Sequence, residues 1–108
     1  MALAVSVDAF KEYMKVDYDD EDETIEGLLT QAQDAAEAFI YLKLDTFEEL
    51  PASITTAIKL YASYFFEERG ADSEKYRNMR MAFENLLYPF RETDTLFGLD
   101  PVPLLDGD

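Results

Sequence analysis

The 108-residue chain contains neither cysteine nor histidine. Their absence removes disulfides, thiolate nucleophiles, zinc sites built from sulfur or imidazole, and the side chain that most often carries protons near neutral pH. Apolar runs are short as well. None approaches the roughly 20 residues that cross a bilayer, and no basic region followed by a long apolar stretch opens the chain. A soluble, unsecreted protein with no membrane partner is expected. No glycine-rich phosphate loop, activated nucleophile or metal cluster accompanies Glu67, Glu68 and Glu84, the carboxylates that invite an acid–base reading. No catalytic, cofactor-binding or metal-ligating residue is assigned, and the expectation is a protein that is not an enzyme.

Positive charge is scarce too. Nine Lys and Arg stand against 24 Asp and Glu, giving −15. The imbalance is local: residues 1–50 hold 14 acids and 3 bases, residues 51–91 hold 5 and 6, and residues 92–108 hold 5 and none. Phosphate backbones are gripped by Lys and Arg through counterion release, so this charge argues against a nucleic-acid-binding protein. It leaves room for one that DNA slides past without specific binding.

What the chain has is apolar surface: 48% hydrophobic and 14% aromatic residues, with seven Tyr and eight Phe. That is enough for one modest core in one domain. Ser6 is placed to cap a short helix over residues 7–15, in which Val7, Phe10, Tyr13 and Met14 share a face. The acidic run Asp17, Asp19, Asp20, Glu21, Asp22, Glu23 suits a helix N-terminus. From Ile25 the positions Leu28, Leu29, Ala32, Ala35, Ala36, Phe39 and Ile40 keep helical spacing, with Glu26, Gln33, Asp34 and Glu37 expected on the wet side. Pro51 starts a third helix through Ile54, Ala57, Ile58, Tyr61, Ala62 and Phe65, ending before Gly70. Asp72 or Ser73 caps a fourth, with Tyr76, Met79, Phe83, Leu86 and Leu87 as its stripe and Pro89 as its stop. The expected fold is all-α: four helices as two antiparallel hairpins over residues 1–91, then an extended acidic arm over residues 92–108.

Three stretches taken together resemble the head-tail connector (adaptor) family of long-tailed bacteriophages over roughly residues 5–91. The first is the opening Val5-Ser6-Val7-Asp8-Ala9-Phe10 helix ending in Lys15-Val16-Asp17, followed by the acidic turn, Ile25 and a long helix with Glu37 near its end. The second is Leu50-Pro51 leading to Tyr64-Phe65-Phe66-Glu67-Glu68-Arg69, where Glu68 stands in place of the family's frequent Asn. The third and most specific is Leu86-Leu87-Tyr88-Pro89-Phe90-Arg91: two leucines, a variable residue, proline, an aromatic and arginine. The resemblance implies a structural virion protein at the head-tail junction, present in the host cytoplasm during assembly. It further implies a homo-oligomeric ring, usually of twelve subunits, that binds the portal, extends the DNA channel and docks head-completion or tail proteins.

Several residues carry competing readings. Tyr64, Phe66, Leu87, Pro89, Phe90, Arg91 and the arm residues Leu96, Phe97 and Leu99 are the expected subunit or portal interface. Arg91 suits an intersubunit carboxylate, or else carbonyls at a helix end of its own domain. Asp19, Asp20, Glu21, Asp22 and Glu23 either line a channel and repel passing phosphates or form a solvated face. A calcium loop starting at Asp17 would need Gly and Glu where Asp22 and Leu28 stand, so capping explains the run better. The Tyr and Phe stripes lack the positive groove of a base-stacking platform and read as core and contact surface. Two rival functions remain: an acidic DNA-mimic inhibitor of a basic nucleic-acid-binding host protein, which would bind with steep salt dependence, and a helical adaptor unconnected with phage.

Overall fold

A computed structural model of the chain describes residues 3–67 and 73–91. Four helices account for most of them: α1 (Val7–Met14), α2 (Asp22–Ile40), α3 (Ala52–Glu67) and α4 (Ser73–Leu87). Short 3-10 turns at Leu44–Thr46 and Tyr88–Phe90 complete the element order, and there is no strand among the described residues.

The local signals that build these helices operate largely as the residue types dictate. Ser6 is extended and its hydroxyl accepts from Ala9 N at 3.1 Å, satisfying a donor that has no partner inside α1. The helix stops at Lys15, which turns left-handed at φ 60° and donates its backbone N–H to Glu12 O. The acidic run begins α2 differently from a cap. Glu21 occupies the cap position and makes no side-chain cap bond, while Asp22 and Glu23 fall in the first turn, beside the positive end of the helix dipole. Proline acts as expected after α4: the helix closes at Leu87 and the chain tightens into the 3-10 turn holding Pro89. The Gly70 stop and the Asp72 cap lie outside the described residues, as does the arm.

α2 and α4 each pack along α3 and meet one another only slightly, while α1 and the second 3-10 turn lie against α2. The core joins all four helices: Phe10 from α1, Ile25, Leu29, Ala32, Ala36 and Ile40 from α2, Ile54, Ala57, Ile58 and Ala62 from α3, and Met79, Phe83 and Leu87 from α4. Alanines at 32, 36, 57 and 62 keep both helices thin where they face the core, which permits close packing. Aromatic edges fill the periphery. Phe66 sets its edge on Phe10 at 6.1 Å, Tyr61 meets Phe83 at 5.0 Å, and Phe47 of the post-α2 loop meets Phe90 at 6.1 Å.

Two polar residues expected on the wet side of α2 are inside. Gln33 and Glu37 are 4% and 8% exposed. One turn apart on the helix, they face the two irregular segments that cross α2: Gln33 Oε1 accepts from Ala4 N at 2.8 Å, and Glu37 Oε2 accepts from Leu44 N at 2.8 Å. Segments without a helical ladder carry orphan backbone donors, and these side chains supply the acceptors.

Candidate assembly interface

The candidate surface starts at the C-terminal end of the described domain. Arg91 follows the proline turn and is aimed back at the end of α2. Its Nε donates to Phe39 O at 3.0 Å and a terminal nitrogen donates to the Tyr41 hydroxyl at 3.2 Å. The guanidinium also lies 4.5 Å from the centroid of Phe39 and 5.1 Å from that of Tyr41. Helix C-termini present carbonyls without intrahelical partners and a partial negative charge, both of which a planar cation satisfies. Tyr41 is itself left-handed, φ 63°, a conformation that costs a bulky L-residue roughly 1–2 kcal/mol. Its side chain is half of the Arg91 clasp. Of the two readings of Arg91, the local bond to a helix-end carbonyl is the one that the geometry contains.

At the opposite end of α2, Lys11 of α1 lies between two acids. Its Nζ is 2.7 Å from Asp19 Oδ1 and 2.8 Å from Asp22 Oδ1, with its own side chain only 12% exposed. Hydrogen bonds from Asp19 and then Asp22 raise the lysine well above its ordinary value, and the Lys11 hydrogen bond holds Asp19 below its own. Two of the five acids in the run therefore tie α1 to the start of α2, and Asp20 and Glu23 face solvent while Glu21 is half-buried. Among the described residues no group of three or more acids is arranged to hold a metal ion.

The structure separates the expected interface residues. Leu87 is enclosed completely in the core, because position 87 completes the Met79–Phe83 stripe at i+4 intervals; it is a core residue and not a surface one. Tyr64 and Phe66, expected as exposed rings awaiting a cover, are half-buried: Tyr64 packs on Phe65 and Tyr76 at 5.0 and 5.9 Å, and Phe66 on Phe10. The second aromatic face of α3 is covered by α1 and α4 of the same chain. Pro89 is exposed and Phe90 and Arg91 are half-buried. Leu96, Phe97 and Leu99 lie outside the described residues.

Surface residues that periodicity did not single out are Tyr18, Tyr41, Met81 and Tyr88, all large and exposed, and Tyr13, expected on the apolar face of α1, is exposed as well. Met81 falls four residues after Arg77, so the two share the outward side of α4 with Glu74, Asn78, Ala82 and Asn85, and exposed Tyr88 follows in the 3-10 turn. The signal was available as an acid-poor outward stripe, and a search for apolar stripes passes over it. The outward face of α2 is bordered by a hollow of about 360 Å³ lined by Asp34, Glu37, Ala38, Tyr41, Leu42 and Lys43. A smaller one of about 180 Å³, lined by Leu3, Thr30, Gln33 and Asp34, meets it at Asp34.

A helical domain whose buried polar groups and clustered ion pairs join its own elements, and whose outer faces carry Tyr, Met and Arg, has the make-up of a small assembly component. Residues 4–93 match the family model described as phage gp6-like head-tail connector protein, and the chain belongs to that family. No curated protein and no solved structure gives a significant match. The match runs from the segment bonded to Gln33 through α4 and Arg91, so it spans every described element. Membership makes the protein a structural component of the head-tail junction, in a family that interacts with the portal and with head or tail proteins. No helix among the described residues is long and apolar enough to cross a membrane.

Proposed function

We propose that the protein is one subunit of a ring, of about twelve copies as is usual in the family, that seats under the portal, continues the DNA exit channel and offers its far side to a head-completion or tail protein. The observation that carries this reading is the family match over residues 4–93, which takes in the whole helical domain. Supporting it, the chain combines a −15 charge, unsuited to gripping phosphates, with a domain whose helices leave Tyr and Met side chains outside.

In this reading the solvent-facing acids of the run Asp19, Asp20, Glu21, Asp22 and Glu23 border the channel and keep passing DNA from adhering, with Asp20 and Glu23 the most available. Pro89, Phe90 and the rim around Arg91, together with the arm residues Leu96, Phe97 and Leu99, meet the portal or the adjoining subunit, and Tyr64 and Phe66 add their exposed edges. The domain of residues 1–91 is the ring-forming unit and the arm of residues 92–108 its attachment. Native mass spectrometry of the purified chain with and without portal is the direct test. A closed ring on the portal, of the portal's own subunit number or a simple match to it, is expected; a chain that stays monomeric beside assembled portal overturns the reading.

A further inference from the structure

The charge of this domain is divided by element. Residues 3–50, which form α1, α2 and the following loop, carry 14 acids against 3 bases, whereas the described residues of α3, α4 and the proline turn, 52–67 and 73–91, carry three acids, Glu67, Glu74 and Glu84, against five bases. Glu84 is itself paired, 3.0 Å from Arg80. α2 and α4 each pack along α3 and meet one another only slightly, so the acid-rich and the acid-poor surfaces sit on different helices of the domain.

We infer that these two surfaces are the two halves of one subunit contact: the outward stripe of α4, Arg77, Met81 and Asn85, with Tyr88 of the turn that follows, packs against the outward side of α2 in a second copy of this chain. The inference rests on the ring reading above and specifies which surfaces meet. Three properties favour a second copy as the occupant. Two chains of −15 repel, and the face where they approach at least cost is the one with fewest acids; opposite it, α2 offers Glu26 and Asp34 to Arg77. Met81 is 57% and Tyr88 46% exposed, side chains of the kind enriched where interfaces close, and the hollows on either side of Asp34 are of a size to receive them. Gly27 gives the third. It lies exposed in the second turn of α2, where an added Cβ would meet nothing within 4 Å, so nothing among the described residues of its own chain requires a residue that weakens a helix. A helix of another copy laid close to the α2 backbone does require it. Because the two surfaces differ, the contact is head-to-tail and repeats, closing into a ring when the rotation permits.

The absence of cysteine makes the test clean. Met81→Cys and Ala38→Cys subunits, each otherwise native, are mixed under mild oxidation, both free in solution and assembled on portal. Disulfide-linked Met81–Cys/Ala38–Cys pairs are expected in the mixture and in neither sample alone. Adding Arg77→Glu to the first subunit should cut their yield about tenfold, and Asp34→Arg in the second should restore it. Circular dichroism of each variant guards against misfolding, since all four positions are exposed. Rings on portal without the mixed crosslink, or with Met81→Cys subunits linking to themselves, overturn this contact and leave the connector reading standing. Absence of both rings and crosslinks overturns the two together.

Discussion

Arg91 reaches across 52 residues to bind the carbonyl of Phe39, and the consequences of losing it follow from what it touches. Arg91→Ala removes a charge-assisted bond to a helix end and the two ring contacts, so a loss of about 1–2 kcal/mol is expected in urea unfolding, with helical circular dichroism unchanged. An unaltered urea midpoint would show the clasp to be idle in the free subunit. The residue was legible because it closes the Leu86–Arg91 stretch that resembles the family's signature, and a helix-end carbonyl was one of its two readings. Which helix end supplies the carbonyl depends on the packing of the proline turn against α2, which no local pattern encodes. Lys11 was not legible as a site, since its partners Asp19 and Asp22 lie 8 and 11 residues away across a turn. Its effect has a pH signature. Lys11 is raised above 10.5, so its contribution is complete below that pH and is lost only as the pH climbs through the folded value; Asp19 is held below 3.8, so its contribution is present above that pH and is lost as the pH falls through its lower folded value. Lys11→Met should therefore lower the urea midpoint at pH 7, by an amount that shrinks as the pH falls below 3.8. A difference that stays constant with pH would assign the effect to packing of the lysine stem.

At the scale of elements, periodicity located all four helices because each buries a stripe at three- and four-residue spacing, and Ser6 and Pro89 marked ends through bonds that are local in sequence. The interior of α2 defeated the same reasoning. Gln33 and Glu37 look like a polar face, yet that face is crossed by the segment before α1 and the loop after α2, whose backbone donors need acceptors. A polarity pattern cannot distinguish water from an unpaired N–H as the partner. The distinction is measurable. Glu37→Leu leaves Leu44 N without its acceptor and should cost about 1–3 kcal/mol, whereas Glu37→Gln keeps an amide oxygen for it and should cost less. Equal losses from both would mean that the charge, placed 3.7 Å from Lys43 Nζ, matters more than the acceptor. Gly27 gives the opposite sign. With open space around it and a helical backbone, Gly27→Ala should raise stability by about 0.5–1 kcal/mol, a Tm increase of a few degrees. A lowered Tm would show that α2 cannot accept a side chain there even in the free subunit.

For the whole molecule the governing quantity is unbalanced charge. Most of the excess acid sits in the α1–α2 half, where exposed carboxylates repel one another at separations comparable with the screening length, which shrinks from about 30 Å at 0.01 M salt to about 3 Å at 1 M. Against that repulsion stand, among the described residues, a few ion pairs, Lys11 with Asp19 and Asp22, Lys43 with Glu37 and Arg80 with Glu84. Each of these pairs has at least one partly exposed member and is screened as well. The repulsive sum runs over many more pairs than the attractive one, so added salt relieves more than it removes. Raising sodium chloride from about 0.01 to 0.5 M should therefore raise the Tm of the free subunit, most steeply at the low end where the screening length changes most. The Lys11→Met variant, having lost attractive pairs and kept the repulsion, should rise more steeply than wild type. A Tm that falls with salt would mean that the few pairs dominate. The acidic half would then be held by its own ion pairs, and would have no electrostatic reason to seek the acid-poor surface of a neighbour.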